Sequence, residues 1–158
     1  MCIRDRLEKQ GKCKAVITQN IDGLHQAAGS KEVLELHGTV KKNYCMKCHK
    51  FYGEEYIMNT SGVPKCDCGG IIKPYVVLYE ESLDNDVIEK AVDYIRHADV
   101  LIIAGTSLTV YPAAGLIDYY RGNKLVLINK SVTPKDNAAD LVIHEPVGGT
   151  LGGIVLNS

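Results

Sequence analysis

The stretch TQNIDGLH at residues 18–25, together with LHG at residues 36–38, decides the fold of this chain. The apolar run at residues 15–17 is typical of a buried strand, and it ends in three polar side chains, Gln19, Asn20 and Asp22. A second short strand at residues 33–36 runs into His37. Because ligands of open parallel α/β sheets bind beyond the carboxyl ends of the strands, these two strand ends indicate a site.

Two simpler interpretations of the same residues stay open. Asn, Asp and Gly are common turn residues, so residues 20–23 could form only a turn that caps a helix. His37, considered alone, could equally be a surface histidine or a histidine with satisfied hydrogen bonds.

Length and composition describe an ordinary globular chain. Its 158 residues fit one domain, or one domain with a small module. Apolar content is 46% and formal net charge is -1, so no general field attracts nucleic acid or a membrane surface. The longest apolar runs are far too short for a membrane span, and the N-terminus has no signal-peptide pattern. We therefore expect a cytoplasmic protein with reduced cysteines.

Strands and helices alternate outside the middle of the chain, which predicts a parallel sheet. The strand at residues 100–104 shows no polar alternation, so we expect it to be covered on both faces. It ends in Gly105, Thr106 and Ser107, and the strand at residues 124–128 ends in Asn129. A glycine followed by hydroxyls lets backbone amides approach a phosphate or ribose, although a turn with a helix cap is the simpler alternative. The glycine pairs at 148–149 and 152–153 predict a loose tail.

Residues 44–73 have a different composition, with several glycines and four cysteines, Cys45, Cys48, Cys66 and Cys68. Two close pairs at this separation can converge on one tetrahedral Zn²⁺. Four sulfurs leave no position for water, so the metal is predicted to be structural. Buried free thiols, or a redox pair at Cys45 and Cys48, are the alternative. His49 could also replace a cysteine as ligand.

These motifs, in this order, resemble the sirtuins, which are NAD-dependent protein-lysine deacylases. The resemblance also rests on the segments at residues 73–81, 105–108 and 127–129. It implies an α/β fold, a Rossmann-like parallel sheet with a small inserted zinc-binding module. The implied organisation is a first part of the Rossmann-like domain at 7–43, the zinc module at 44–73 and the second part at 74–158.

The resemblance also implies roles for individual residues. His37 would be the general base that draws a proton through the ribose hydroxyls after the acyl oxygen has attacked the ribose. NAD would be bound by Gln19, Asn20, Asp22, Gly105, Thr106, Ser107 and Asn129. The substrate would pair by backbone with the extended segment Val76, Val77, Leu78 and Tyr79. The implied partners are acyl-lysine proteins or peptides, with neither nucleic acid nor membrane, and the products are free lysine, nicotinamide and O-acyl-ADP-ribose.

Two departures from the family pattern shape our expectations. The opening Gly-Ala-Gly turn and the Asp-Phe-Arg loop are not found, and residues 1–6 do not resemble the family. We therefore expect an N-terminally truncated sheet without its first, central strand, which by itself is poorly stable and weakly active or inactive. Glu80 stands where many members have glycine, which is expected to alter the backbone there and to favour basic peptides.

Two other functions are compatible with the sequence. One is a non-catalytic, zinc-stabilised module that binds NAD or a peptide. The other is a protein ADP-ribosyltransferase that uses the same pocket.

Overall fold

The structure is a computed structural model, which describes residues 7–78 and 80–154. Within these ranges the chain forms two compact units. One unit comprises residues 16–87 and includes the predicted metal module. The other comprises residues 88–154 together with residues 7–15.

The unit at residues 16–87 contains a parallel and an antiparallel sheet. The parallel sheet pairs β1 (Val16–Thr18) with β2 (Val33–Glu35), and the short helix α1 (Leu24–Ala27) lies between them in sequence. The antiparallel sheet has the order β4–β3–β5 and consists of β3 (Gly38–Cys45), β4 (Phe51–Gly53) and β5 (Ile72–Val76). Helix α2 (Glu54–Met58) follows β4. The predicted parallel arrangement of the first two strands is confirmed.

Strand β3 is eight residues long, yet the sequence pattern does not predict it. Its pairing with β5 shifts register between Thr39 and Asn43, and the intervening residues 40–42 are all exposed. Such an irregularity removes the alternation of apolar and polar residues by which a strand is found. Strand β3 begins directly after His37 and ends at Cys45, so it connects the candidate site to the metal module.

Gly38 occupies a position that only glycine fits. Its φ is 73°, and a Cβ there would lie 2.0 Å from the Tyr75 carbonyl oxygen of the paired strand β5. We expect Gly38→Ala to lower the free energy of unfolding by more than the roughly 1–2 kcal/mol that the left-handed conformation alone costs. Chemical denaturation measures the change.

Gly62→Ala is the matched control for this prediction. Gly62 also has a positive φ, 77°, but a Cβ there meets no atom within 4 Å. If both variants lost the same stability, the close approach to β5 would have no energetic consequence.

The second unit is built on a parallel sheet of order β6–β7–β8, with β6 (Leu101–Ala104), β7 (Leu125–Ile128) and β8 (Leu141–Ile143). Its most buried strand is β7, in which Leu127 is fully buried. Helix α3 (Asn85–Arg96) buries Ala91 and Ile95. The Asp84 carboxylate accepts the amide of Asp86 at 3.0 Å and thereby caps the start of this helix. Short 3₁₀ helices at Ala113–Tyr119 and Asp136–Ala138 complete the connections.

Two expectations for this unit are wrong. Strand β6 is not covered on both faces, since Ile102 is 45% exposed and the preceding Val100 is 46% exposed. The glycine-rich tail is not a loose coil either, because it forms helix α4 (Val147–Gly152). The Val147 side chain at the start of this helix lies near Gly105, since its Cγ2 is 3.5 Å from the position that a Cβ on Gly105 would take.

The parallel strands have edges without a ladder partner in the described ranges. There β1 pairs only with β2, and β6 pairs only with β7. Among the described helices, none combines the length and the apolar character that crossing a membrane requires.

Candidate active site and metal centre

The carboxyl ends of β1 and β2 bring His37 next to the segment that follows β1. Thr18 pairs with Glu35, and the Leu36 amide continues the ladder to the Thr18 carbonyl at 2.9 Å. One residue further on, His37 Nδ1 lies 3.1 Å from the carbonyl oxygen of Gln19. The histidine is half-buried. The two polar strand ends therefore meet at one edge of the sheet.

Asn20 and Asp22 lie at the same edge and are exposed. The Asn20 amide donates to Thr18 Oγ1 at 3.1 Å, and Asp22 Oδ1 accepts the amide of Leu24 at 2.9 Å. The Asp22 carboxylate thus caps the start of α1, as the turn interpretation of this stretch predicts.

Thr18 and His25 form a contact that sequence reasoning did not single out. Thr18 is 8% exposed, and its Oγ1 lies 3.2 Å from His25 Nε2 while it also accepts the Asn20 amide. This hydroxyl therefore fixes the path of the segment that carries Gln19 and Asn20. The signal for it was present in the sequence, since both residues belong to the opening stretch.

The extended segment after β5 continues the edge beside His37. The Val77 amide donates to the His37 carbonyl at 3.0 Å, while Leu78 is 55% exposed. Tyr79 lies outside the described residues. Glu80 has a φ of 69°, a left-handed conformation that glycine adopts without strain, so glutamate is held here in an unfavourable backbone conformation.

In the unit at residues 88–154, the ends of β6 and β7 also lie side by side. Ala104 pairs with Ile128, and the Gly105 amide donates to the Ile128 carbonyl at 2.9 Å. Gly105 has a φ of 65°, so the chain turns sharply there. Thr106 Oγ1 accepts the amide of Leu108 at 3.3 Å, and Asn129 Nδ2 donates to the Ser131 carbonyl at 2.8 Å. Ser107 is exposed, and its hydroxyl lies 2.7 Å from that of Thr109.

The four cysteines of the metal module converge. Their Sγ atoms all lie within 4.8 Å of one another. The Cys45–Cys68 and Cys48–Cys66 separations are both 3.5 Å. Zn–S bonds of about 2.3 Å in a tetrahedron require sulfurs roughly 3.8 Å apart, so the donor set fits a tetrahedral Zn²⁺. His49 is exposed and is not part of the cluster.

Hydrogen bonds favour the thiolate at the two buried cysteines. The Tyr52 hydroxyl donates to Cys66 and lowers the pKa of that thiol to about 6, while the same bond raises the pKa of Tyr52 to about 12. Burial opposes ionisation of Cys45, but backbone amides, that of Cys48 foremost, outweigh burial and lower its pKa. The Lys50 amide favours ionisation of Cys48, yet the neighbouring sulfurs raise its pKa to about 12. Because metal ligands must be deprotonated, the lowered pKa values of Cys45 and Cys66 favour metal binding at these two sulfurs.

Gly70 keeps the second cysteine pair close to the first. A Cβ at this residue would lie 2.6 Å from Cys45 Sγ and 2.8 Å from Lys47 Cβ. We expect Gly70→Ala to displace Cys45 and to weaken metal binding by about 10- to 100-fold, as changes around metal ligands typically do. Competition with a chromogenic chelator measures the affinity.

Gly53→Ala is the control for Gly70, since a Cβ at Gly53 in the same module meets nothing within 4 Å. Equal metal affinities of the two variants would contradict the steric role of Gly70.

Together these features define an α/β protein with polar strand ends and an inserted four-cysteine metal module. The Sir2 family model matches residues 2–112, and the chain belongs to the Sir2 family. Over 152 residues the chain is 65% identical to an "NAD-dependent protein deacetylase" of Clostridium tetani and 63% identical to the protein of that name in Clostridium perfringens. Each match covers 95% of this chain and 62% of the relative. The chain therefore spans less than two thirds of the length of these relatives.

Solved structures give the same family relationship. The structure "Sir2-p53 peptide-NAD+" is similar with a TM-score of 0.87 and 43% identity, over 95% of this chain and 65% of that chain. The "Structure of Sir2Tm bound to a propionylated peptide" is similar with the same TM-score and identity, over 95% of this chain and 66% of that one. The similarity confirms the predicted fold class.

Proposed function

We propose that the protein containing this chain is an NAD-dependent protein-lysine deacylase, which transfers an acyl group from lysine to ADP-ribose and releases nicotinamide. The observation that carries the proposal is the position of His37 at the shared edge of β1 and β2, with Nδ1 3.1 Å from the Gln19 carbonyl. The names of the two Clostridium relatives, which are 65% and 63% identical, support the same activity.

The hydrogen bond of His37 assigns its tautomer. A carbonyl oxygen can only accept, so in this bond Nδ1 carries the hydrogen. In the neutral imidazole, Nε2 then has a free lone pair and can take a proton. The backbone of Gln19 thereby orients His37 as a general base, in the way that a hydrogen bond to the second ring nitrogen orients catalytic histidines.

The cofactor of the proposed reaction is NAD, which would supply the ribose carbon that receives the acyl oxygen as nicotinamide leaves. We propose that Gln19, Asn20 and Asp22 contact the nicotinamide ribose. For the phosphates and the adenosine we propose Gly105, Thr106, Ser107 and Asn129. The sharp turn at Gly105 supports this assignment, because a backbone without a side chain can approach phosphate oxygens closely.

The proposed substrate is an acyl-lysine peptide that pairs with the backbone at Val76, Val77 and Leu78, with Tyr79 next in sequence. Solved relatives are described with acetylated and propionylated peptides. Backbone pairing reads few side chains of a peptide, so we expect broad sequence tolerance. The exposed Glu80 adds a carboxylate near this segment and supports a preference for basic peptides. We propose a cytoplasmic location, because cysteines that bind a metal must stay reduced, as thiols do in the cytosol.

An assay of peptide-dependent nicotinamide release tests the proposal. It uses the 158-residue chain and a chimera in which this chain replaces the matching part of the Clostridium tetani relative. We expect the chimera to release nicotinamide with an acetyl-lysine peptide and not with the same unacetylated peptide, and the shorter chain to do so more slowly. A chimera that binds NAD without releasing nicotinamide would refute the deacylase and identify a binding module.

A further inference from the structure

Tyr52 makes a hydrogen bond that the proposed reaction does not use. It lies in β4 and is 7% exposed, and its hydroxyl donates to Cys66 Sγ at 3.0 Å. Cys66 is itself only 5% exposed. A buried hydroxyl therefore points directly at one ligand of the metal centre.

We infer that Tyr52 is a positioning residue of the metal centre, which holds the Cys66 thiolate in place and strengthens metal binding. Four thiolates around a divalent cation leave a net negative charge, and buried negative charge needs hydrogen-bond donors. Cys48 and Cys68 are exposed, so water can donate to them. The buried Cys45 and Cys66 instead depend on protein donors.

The two buried sulfurs receive different donors. Cys45 Sγ accepts the amide of Lys47 at 3.3 Å, which belongs to the loop of the first cysteine pair itself. Cys66 also has a favourable backbone amide, that of Cys68, but its Tyr52 donor comes from a strand 14 residues earlier in the chain. The Tyr52 hydroxyl therefore links the loop of the second cysteine pair to the β3–β4 hairpin that carries the first cysteine pair.

Neighbouring side chains fix the Tyr52 ring. Its centroid lies 4.6 Å from that of Tyr56, and Lys50 Nζ lies 5.3 Å from it on the ring face. Lys50 also forms an ion pair with Asp67, which is next to Cys66 in sequence. Because these contacts already fix the ring, the Tyr52 hydroxyl loses little conformational entropy when it donates to Cys66. A residue that orients a metal ligand by a hydrogen bond is expected to have this property.

Tyr52→Phe tests the inference, because it keeps the ring and removes only the donor. Tyr56→Phe is the matched control, since its hydroxyl donates to the Lys65 carbonyl at 2.8 Å and not to a sulfur. Zn²⁺ affinity is measured by chelator competition, and the Co²⁺-loaded proteins are compared by their thiolate-to-metal charge-transfer absorption. We expect Tyr52→Phe to lose about 10- to 100-fold in affinity and to shift the absorption band to lower energy, and Tyr56→Phe to change neither.

A second substitution keeps the test decisive if Tyr52→Phe folds poorly. 3-Fluorotyrosine at position 52 retains the hydroxyl and makes it a stronger donor, so the charge-transfer band should move to higher energy. The inference is overturned if the charge-transfer band stays at the same energy after both changes at residue 52. It is also overturned if Tyr56→Phe weakens Zn²⁺ binding as much as Tyr52→Phe does. Neither readout depends on deacylation, so the result is independent of the proposed function.

Discussion

Replacing His37 with alanine is expected to lower acyl transfer by about 100- to 10,000-fold, the usual contribution of a general base. The His37→Ala variant should still release nicotinamide, because the proposed base acts only after the acyl oxygen has replaced nicotinamide on the ribose. Exchange of labelled nicotinamide into NAD and appearance of deacetylated peptide, measured in parallel on the chimera, separate the two steps. The variant should therefore exchange nicotinamide while producing almost no free lysine.

Two further substitutions control this experiment. His37→Asn places an amide N–H where it can still donate to the Gln19 carbonyl, but it supplies no base, so it should be as defective as the alanine variant. His97→Ala removes an exposed histidine that faces Asp93 on α3 and should leave turnover unchanged. Near-normal deacetylation by either His37 variant would contradict the assigned role.

Removing the metal is expected to unfold the antiparallel sheet of β3, β4 and β5. The buried cluster of this module consists of Cys45, Tyr52, Cys66 and Ile72, so two of its four members are ligands. Structural Zn²⁺ contributes on the order of 10–16 kcal/mol of apparent binding energy in small zinc domains, far more than this cluster can replace. Amide hydrogen exchange with and without a strong chelator should show loss of protection in all three strands.

Cys45→Ala should reproduce the effect of the chelator, and elemental analysis should fall from one Zn²⁺ per chain to none. Cys13→Ser is the control, because the half-buried Cys13 donates to the Ala15 carbonyl at 3.6 Å and is outside the cluster. Unchanged protection of β3 after complete metal removal would show that the module folds without the ion.

The parts of the fold that the sequence predicted are those with strong local signals. The apolar runs before Gln19 and before Gly105 form parallel strands, and the cysteine spacing brings four sulfurs together. Each of these signals can be recognised in the sequence without knowledge of the tertiary contacts.

The parts that were missed depend on contacts distant in sequence. Strand β3 is held by partners on both sides, and its shifted register hides the alternation that would reveal it. Helix α4 forms although it contains three glycines, which intrinsic propensity disfavours. The exposure of Ile102 could not be predicted either. An apolar run indicates that a strand tends to be buried, but it does not indicate which of the two faces is covered. The contact of Tyr52 with Cys66 joins residues 14 positions apart and has no local signature.

Tracing the acyl group itself tests the central claim most directly. The chimera is incubated with NAD and a peptide whose lysine carries a ¹³C-labelled acetyl group, and all products are analysed by mass spectrometry. The account predicts that the labelled acetyl group appears on ADP-ribose in amounts equal to the free-lysine peptide and the nicotinamide. A label that stays on the peptide while a protein gains ADP-ribose, or while NAD remains intact, would contradict it.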